Sequence, residues 1–295
     1  MKRVLSILAA AALGAALLLR PAEAAQAVRD GLALCAATVI PALFPFFVVL
    51  SLLLKLGAAA ALQRLCAPFM GPMFHMRGIC AGPLLAGLLG GYPAGAQTAA
   101  QLYEEGLLSR REAEVCLGFC NNCGPAFLLS FAGTQVLRSS RAGVYLWLIH
   151  LLSALLTGMI LCRLAGMRRC KAPPPALPLS AAESPGRALP QAVAGAAQAL
   201  VSICAFVVFF SVVTALLPSA LAPGAAGALE MVSGLQALSP GQAGFIWAAA
   251  LTGWGGLSVH CQTMAVTGEL RTGWHWAGKA LQALLSALLA ALLSC

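Results

Sequence analysis

The sequence predicts an all-α polytopic membrane protein: an inverted-repeat helical bundle with two re-entrant helical hairpins and broken helices. Three observations predict it. First, the 295 residues are 60% hydrophobic and only 9% charged, with a mean hydropathy of +0.88, whereas soluble domains carry roughly a quarter charged residues. Second, small residues dominate and aromatics reach only 7%. That composition lets helices pack closely in lipid, and the alternating strands of a barrel are missing. Third, the pattern Gly-Gly-x5-Gln-Thr-x-Ala-x3-Glu occurs twice inside apolar stretches. It reads Gly90, Gly91, Gln97, Thr98, Ala100, Glu104, and then Gly255, Gly256, Gln262, Thr263, Ala265, Glu269. Polar groups and paired glycines are costly in hydrocarbon unless they face protein or a cavity. Matching interruptions in two halves point to a carrier's binding site.

The elements follow in order. Residues 1–24, with Lys2 and Arg3 before an apolar run and Ala22-Glu23-Ala24 after it, read as an N-terminal transmembrane helix or a signal-like segment. Residues 25–165 make the first half-repeat. Its span from Gly31 to Leu56 carries Pro41 and Pro45, which bend or break a helix. Ala58 to Arg77 reads as an interfacial helix or loop. The re-entrant hairpin 79–104 is interrupted at Gly90-Gly91-Tyr92-Pro93, followed closely by Gly95. A span from Glu112 to Val136 is broken at Asn121-Asn122-Cys123-Gly124-Pro125, and another runs from Gly143 to Cys162.

Residues 166–189 hold Arg168, Arg169, Lys171, Arg187 and the run Pro173-Pro174-Pro175, the composition of an extended cytoplasmic linker. The second half-repeat, 190–295, opens with a span from Gln191 to Leu217. A Gly/Pro/Ala-rich stretch from Pro218 to Gln242 follows, with Glu230 as its charge. The second re-entrant hairpin, 243–268, is interrupted at Gly253-Trp254-Gly255-Gly256. The last span, Trp274 to Leu293, contains Lys279 and opens on interfacial tryptophans.

Charge sets the orientation. The net charge of +9 comes from 18 Lys+Arg against 9 Asp+Glu. The basic residues flank apolar spans without interleaved stacking aromatics, which excludes a nucleic-acid partner. With the amino terminus and both hairpin returns placed accordingly, Lys55, Arg64, Arg77, Arg110, Arg111, Arg163 and the linker cations fall inside. Arg20, Arg29, Arg138, Arg141 and Arg271 fall outside, as the positive-inside rule requires. The hairpins then dip in from opposite faces. Eleven cysteines lack a framework spacing, and Cys120-x-x-Cys123 has no second ligand pair. No metal and no cofactor is therefore expected.

Gln97-Thr98 and Gln262-Thr263 offer donors and acceptors without a buried charge, and the adjoining glycines permit close approach to a ligand. These four are candidate solute contacts, with packing between helices as the alternative. Asn121 and Asn122, before Gly124-Pro125, either satisfy freed carbonyls or join the solute site. Glu104, Glu269 and His260 are candidate proton or cation carriers, or ordinary solvated acids and a packed histidine. No nucleotide-binding, zinc-protease or serine-hydrolase motif is present, so the chain does not read as an enzyme. The expected partners are the lipid bilayer, a small solute, a coupling cation and a second copy of the chain.

Three stretches resemble the YlbJ-type sporulation integral membrane proteins with a nucleoside-recognition (Gate) domain. They are Pro41-Ala42-Leu43-Phe44-Pro45-Phe46-Phe47, Gly90 through Thr98, and Cys120-Asn121-Asn122-Cys123-Gly124-Pro125. The resemblance implies a multi-pass protein of the bacterial cell membrane, the forespore membrane included. It also implies a secondary transporter of a small polar or anionic solute, such as dipicolinate, working by alternating access. The Gln-Thr tips are similar to those of concentrative nucleoside transporters, which place an acid next. Here Ala99 and Met264 follow, which suits an anionic solute better. The alternative is a non-transporting assembly or scaffold protein of sporulation.

Overall fold

Apolar runs this long can satisfy their backbone in lipid only by forming helices, and that is what they do. A computed structural model describes residues 2–168, 184–217 and 222–294, with no strand among them. The proline run of the expected linker, with Arg169 and Lys171, lies outside the described residues. Among the described residues, four helical segments are long and apolar enough to cross a membrane: Pro21–Ala58, Ser140–Leu164, Gly186–Leu216 and Gly273–Leu293. The chain is a multi-pass helical membrane protein.

Helix α1 (Lys2–Leu19) precedes α2 (Pro21–Leu34) and α3 (Ile40–Leu53). The last two are one continuous rod that starts at Pro21 rather than at the expected Gly31. A π turn at Cys35–Val39 precedes Pro41. Such a wide turn lets the chain accommodate proline's missing N–H by bending. A second π turn, Leu54–Ala58, contains Gly57 at φ 105° and leads into α4 (Ala59–Phe74).

Helices α5 (Ala81–Gly90) and α6 (Ala94–Glu104) pack on each other as a hairpin. A Cβ built on Gly82 would lie 3.9 Å from the Leu102 side chain, so the two legs start and finish side by side. Helix α7 (Arg110–Cys116) is started by a capping box, Ser109 with Glu112. After an extended stretch at Asn121–Gly124 the chain re-forms as a π-helix, Phe127–Val136. This is the first broken helix. Helix α8 (Ser140–Leu164) begins on the Ser139 hydroxyl, which accepts from the Ala142 N–H at 3.1 Å.

In the second half, α9 (Pro185–Leu216) packs along α2 and α3. Helices α10 (Ala222–Leu229) and α11 (Met231–Gln236) form a second, shorter hairpin inside the stretch read as Gly/Pro/Ala-rich connection. Its legs touch backbone to backbone, because Gly227 leaves no room for a Cβ on Gly234. Helices α12 (Gln242–Trp254) and α13 (Gly256–Val266) follow, then α14 (Gly273–Ser294), which lies along α12 and α8.

The expected hairpin at 243–268 is corrected here. Helix α8, 25 residues long, spans about 37 Å at 1.5 Å per residue and marks two ends. Arg141 stands at its start, and Arg111 bonds the Ala165 carbonyl at its finish. The start of α12, at Gly241 and Gln242, shares a pocket with Arg141. The finish of α13 lies at the opposite end, where Arg110 Nη2 donates to the Glu269 carbonyl at 2.7 Å. Thus α12 and α13 are one crossing helix, broken at Gly255, where φ is +88°. The role of second hairpin falls to α10–α11.

The chain therefore contains two units in opposite senses. Each has a long helix, a hairpin and a broken helix: α3, α5–α6 and 110–136, then α9, α10–α11 and α12–α13. The first hairpin starts near the Arg110 end, and the second finishes near Arg138, with which Gln236 and Leu238 share a pocket. Arg77, Arg110, Arg111, Arg163 and Arg271 gather at one end, away from Arg138 and Arg141. Arg271 thus moves to the cation-rich side, which sharpens the positive-inside bias.

Candidate functional site

Each hairpin tip meets the break of its own unit. A Cβ on Gly91 would lie 3.1 Å from the Gly124 N, and those on Gly87 and Gly95 would collide with the Cys120 carbonyl. In the second unit, a Cβ on Gly256 would lie 3.0 Å from the Met231 N and 3.3 Å from the Glu230 Cα. Only glycine permits approaches this close. Each tip also touches the break of the other unit. Tyr92 Oη donates to the Thr252 carbonyl at 3.2 Å, and Cys123 Sγ lies 3.6 Å from Met231 Sδ. Four interruptions therefore converge on one place.

A pocket of about 50 Å³ opens between them, lined by Tyr92, Cys123, Glu230, Ser258 and Gln262 against Phe47, Phe127 and Phe206. Gln262 is 5% exposed, and its Oε1 has no partner among the described residues. Glu230 caps α11, its two oxygens accepting from the N–H groups of Val232 (2.9 Å) and Ser233 (2.7 Å).

Beside the pocket a polar cluster is sealed from solvent. Lys279 Nζ donates to Tyr92 Oη (2.8 Å), to the Asn121 carbonyl (3.1 Å) and to Gln282 Oε1 (2.7 Å). Gln282 Nε2 donates to Asn122 Oδ1 at 2.9 Å, and Asn122 Nδ2 to the Phe119 carbonyl at 2.8 Å. His150 Nε2 accepts from the Cys123 N–H at 3.0 Å. These bonds hold the extended Asn121–Gly124 backbone in place of a helical ladder.

The residues expected to bind solute divide. Asn121 Nδ2 donates to Thr263 Oγ1 at 2.5 Å, tying the first break to the second Gln-Thr pair. Asn122 joins the cluster, and Gln262 lines the pocket. The first pair is elsewhere. Gln97 is exposed, and Thr98 Oγ1 bonds back to the Ala94 carbonyl of its own helix at 2.8 Å. The cause is the correction above: one Gln-Thr pair rides a hairpin leg and the other a crossing helix, so the copies do not occupy equivalent places.

Gly90, Gly91, Pro93 and Gly95 form the first tip, Gly124 and Pro125 the first break, and Gly255 and Gly256 the second. Glu104 and Glu269 are exposed at the arginine-rich end, not at the crossing. His260 is fully buried between Trp254 and Trp276, with ring centroids at 4.5 and 4.1 Å. His275 Nδ1 lies 3.3 Å from the Leu117 carbonyl, which can only accept. Its Nε2 is thereby left to accept from His260 Nδ1, 2.8 Å away.

Sequence reasoning missed Lys279, Gln282, Tyr92, Glu230 and His150 as site residues. The available signal was a lone lysine within an apolar span, with Gln282 one turn further on the same face.

These features define a polytopic membrane protein built of paired hairpins and broken helices around a central crossing. Comparison with known proteins gives that class its relatives. Residues 36–137, which cover the first structural unit, match the family described as Gate: Nucleoside recognition. Over 222 residues the chain is 30% identical to the sporulation integral membrane protein YlbJ of Bacillus subtilis (strain 168), an alignment covering 70% of this chain and 54% of that protein. The chain thus spans about half the length of that relative. Both findings bear out the resemblance read from the motifs. No solved structure matches.

Proposed function

We propose that the chain is a secondary transporter that moves a small polar or anionic solute by exposing the crossing to each end in turn. One observation carries the reading: two hairpin tips and two helix breaks meet around Gln262, a buried amide whose oxygen is unpartnered among the described residues. An unpaired buried polar group costs about 1–3 kcal/mol, so a ligand that pairs it is favoured. Non-helical backbone at mid-membrane is tolerated where it lines a cavity, and opposed hairpins are how inverted-repeat carriers build one.

The pocket of about 50 Å³ is far below the roughly 300 Å³ where small-molecule sites begin. A solute therefore enters only when a tip withdraws, which is the step alternating access needs. An amide and a hydroxyl among aromatic walls suit a flat ring bearing polar groups. A nucleoside is what the Gate description names, and a pyridine dicarboxylate is what the YlbJ-type resemblance implies.

The test is tracer uptake into proteoliposomes, with dipicolinate, simple carboxylates and nucleosides as separate solutes. The Gln262→Ala protein should insert normally and lose uptake by at least about tenfold, the worth of one well-made hydrogen bond. Absence of uptake for every solute, or unchanged uptake by the variant, rejects the reading.

A further inference from the structure

The Lys279 side chain is 0% exposed in the middle of α14, and each of its three partners can accept a hydrogen bond from it. The Asn121 group is a backbone carbonyl, which only accepts. Tyr92 Oη can give its proton to the Thr252 carbonyl, 3.2 Å away, and so accept from the lysine at 2.8 Å. Gln282 donates through Nε2 to Asn122, which leaves its Oε1 to accept. Three acceptors match the three N–H donors that the ammonium form of lysine offers. All of these partners are neutral, and no carboxylate pairs with Lys279 among the described residues.

A carbonyl of an unwound helix, a side-chain amide oxygen and a hydroxyl form the ligand set of a monovalent metal cation. Carriers of inverted-repeat type hold their coupling Na⁺ on such unwound carbonyls. We infer that Lys279 is a tethered cation that permanently fills a monovalent-cation site between the first hairpin tip and the first helix break. The chain carries its own ion where another carrier would bind a diffusible one. With every N–H already used, Lys279 has none left for an anionic solute. The assignment extends the transport reading, and only its consequence, that uptake does not depend on sodium, rests on that reading.

The deciding measurement is the melting of the purified full chain in chloride salts of sodium, ethylammonium and choline at equal ionic strength, which needs no transport. Wild-type protein should melt alike in all three. Lys279→Ala, which frees the three acceptors and opens a short channel to them, should melt several degrees higher in sodium or ethylammonium than in choline. If Lys279→Ala yields no protein, Lys279→Gln serves, with the same expected response to sodium. Sodium-stabilised wild type overturns the assignment, as does a variant indifferent to both small cations. It is equally overturned if dipicolinate stabilises wild type and not the variant, since Lys279 would then contact the solute. In proteoliposomes, wild-type uptake should be unchanged when choline replaces sodium. Absence of uptake in any medium fails the transport reading and leaves the melting result to decide the cation.

Discussion

Replacing Gln282 with leucine tests the buried cluster at its hinge. The two side chains are nearly equal in volume, so the change opens no cavity and isolates the polar effect. It removes the acceptor of one ammonium N–H of Lys279 (2.7 Å) and the donor to Asn122 Oδ1 (2.9 Å). Both atoms are then stranded in a fully buried place. A lost bond to a charged group is worth about 1.5–3 kcal/mol, and a stranded neutral acceptor about 1–3 kcal/mol. Together the loss should be about 3–5 kcal/mol, more than a hundredfold in the folding equilibrium at about 1.4 kcal/mol per decade. Reversible unfolding in mixed micelles reads it directly. The pair with Lys279→Met completes a double-mutant cycle. Because each single change strands the other's partner, the double variant should be more stable than the sum predicts by at least about 1 kcal/mol. A Gln282→Leu loss under about 0.5 kcal/mol, the scale of an ordinary surface change, or strict additivity, refutes the reasoning.

Three further outcomes follow. Gly95→Ala forces a methyl group into the Cys120 carbonyl and should cost about 1–3 kcal/mol of stability. Gly195→Ala, with nothing within 4 Å, should cost none, as compared in the same unfolding assay. Gln97→Ala should leave uptake as in wild type while Gln262→Ala loses it, because only Gln262 lines the pocket. At the arginine-rich end, burial pushes the Glu112 carboxyl up, but Arg77 and Ser109 outweigh it and hold the group below its ordinary 4.5. A lowered value means stability that is fully present above 4.5 and lost as pH falls through the folded value. Glu112→Gln should flatten that acid-side decline in melting temperature and leave the neutral-pH slope unchanged.

Composition and turn residues made much of the fold legible. The breaks at Gly91–Pro93, at Asn121–Pro125 and at Gly255 fall where glycine and proline interrupt apolar runs, because those residues act locally. Which legs pair across a break is a tertiary matter. Gln262-Thr263 repeats the letters of Gln97-Thr98, yet α12 finds its partner in α14 and not in α13. The α10–α11 hairpin was hidden by its shortness and by Gly and Ala, which carry little periodic signal. Of the site, Asn121, Asn122, Gln262 and Thr263 could be named from amide and hydroxyl chemistry at the breaks. Lys279 could be placed only as a charge within the last span, because burial of a lysine depends on acceptors that lie more than a hundred residues away in the chain.

The two ionisable side chains carried to the middle of the bundle make sense together. Interrupting a helix leaves carbonyls on one side of the gap and N–H groups on the other, and lipid satisfies neither. In the first unit the exposed group is the Asn121 carbonyl, and an ammonium is brought to it on α14. In the second unit the exposed groups are the N–H donors opening α11, and the carboxyl of Glu230 is brought to them from the tip itself. Each side chain is thus matched to the end of the backbone dipole it faces, an N–H donor to a carbonyl and carboxyl oxygens to N–H groups. Exchanging the signs, with Lys279→Glu and Glu230→Lys in one chain, would put an anion on a carbonyl and a cation on N–H donors. That double variant should fail to fold even though its net charge is unchanged, whereas a chain in which only total charge mattered would tolerate it. Yield of monodisperse protein from the membrane fraction separates the two.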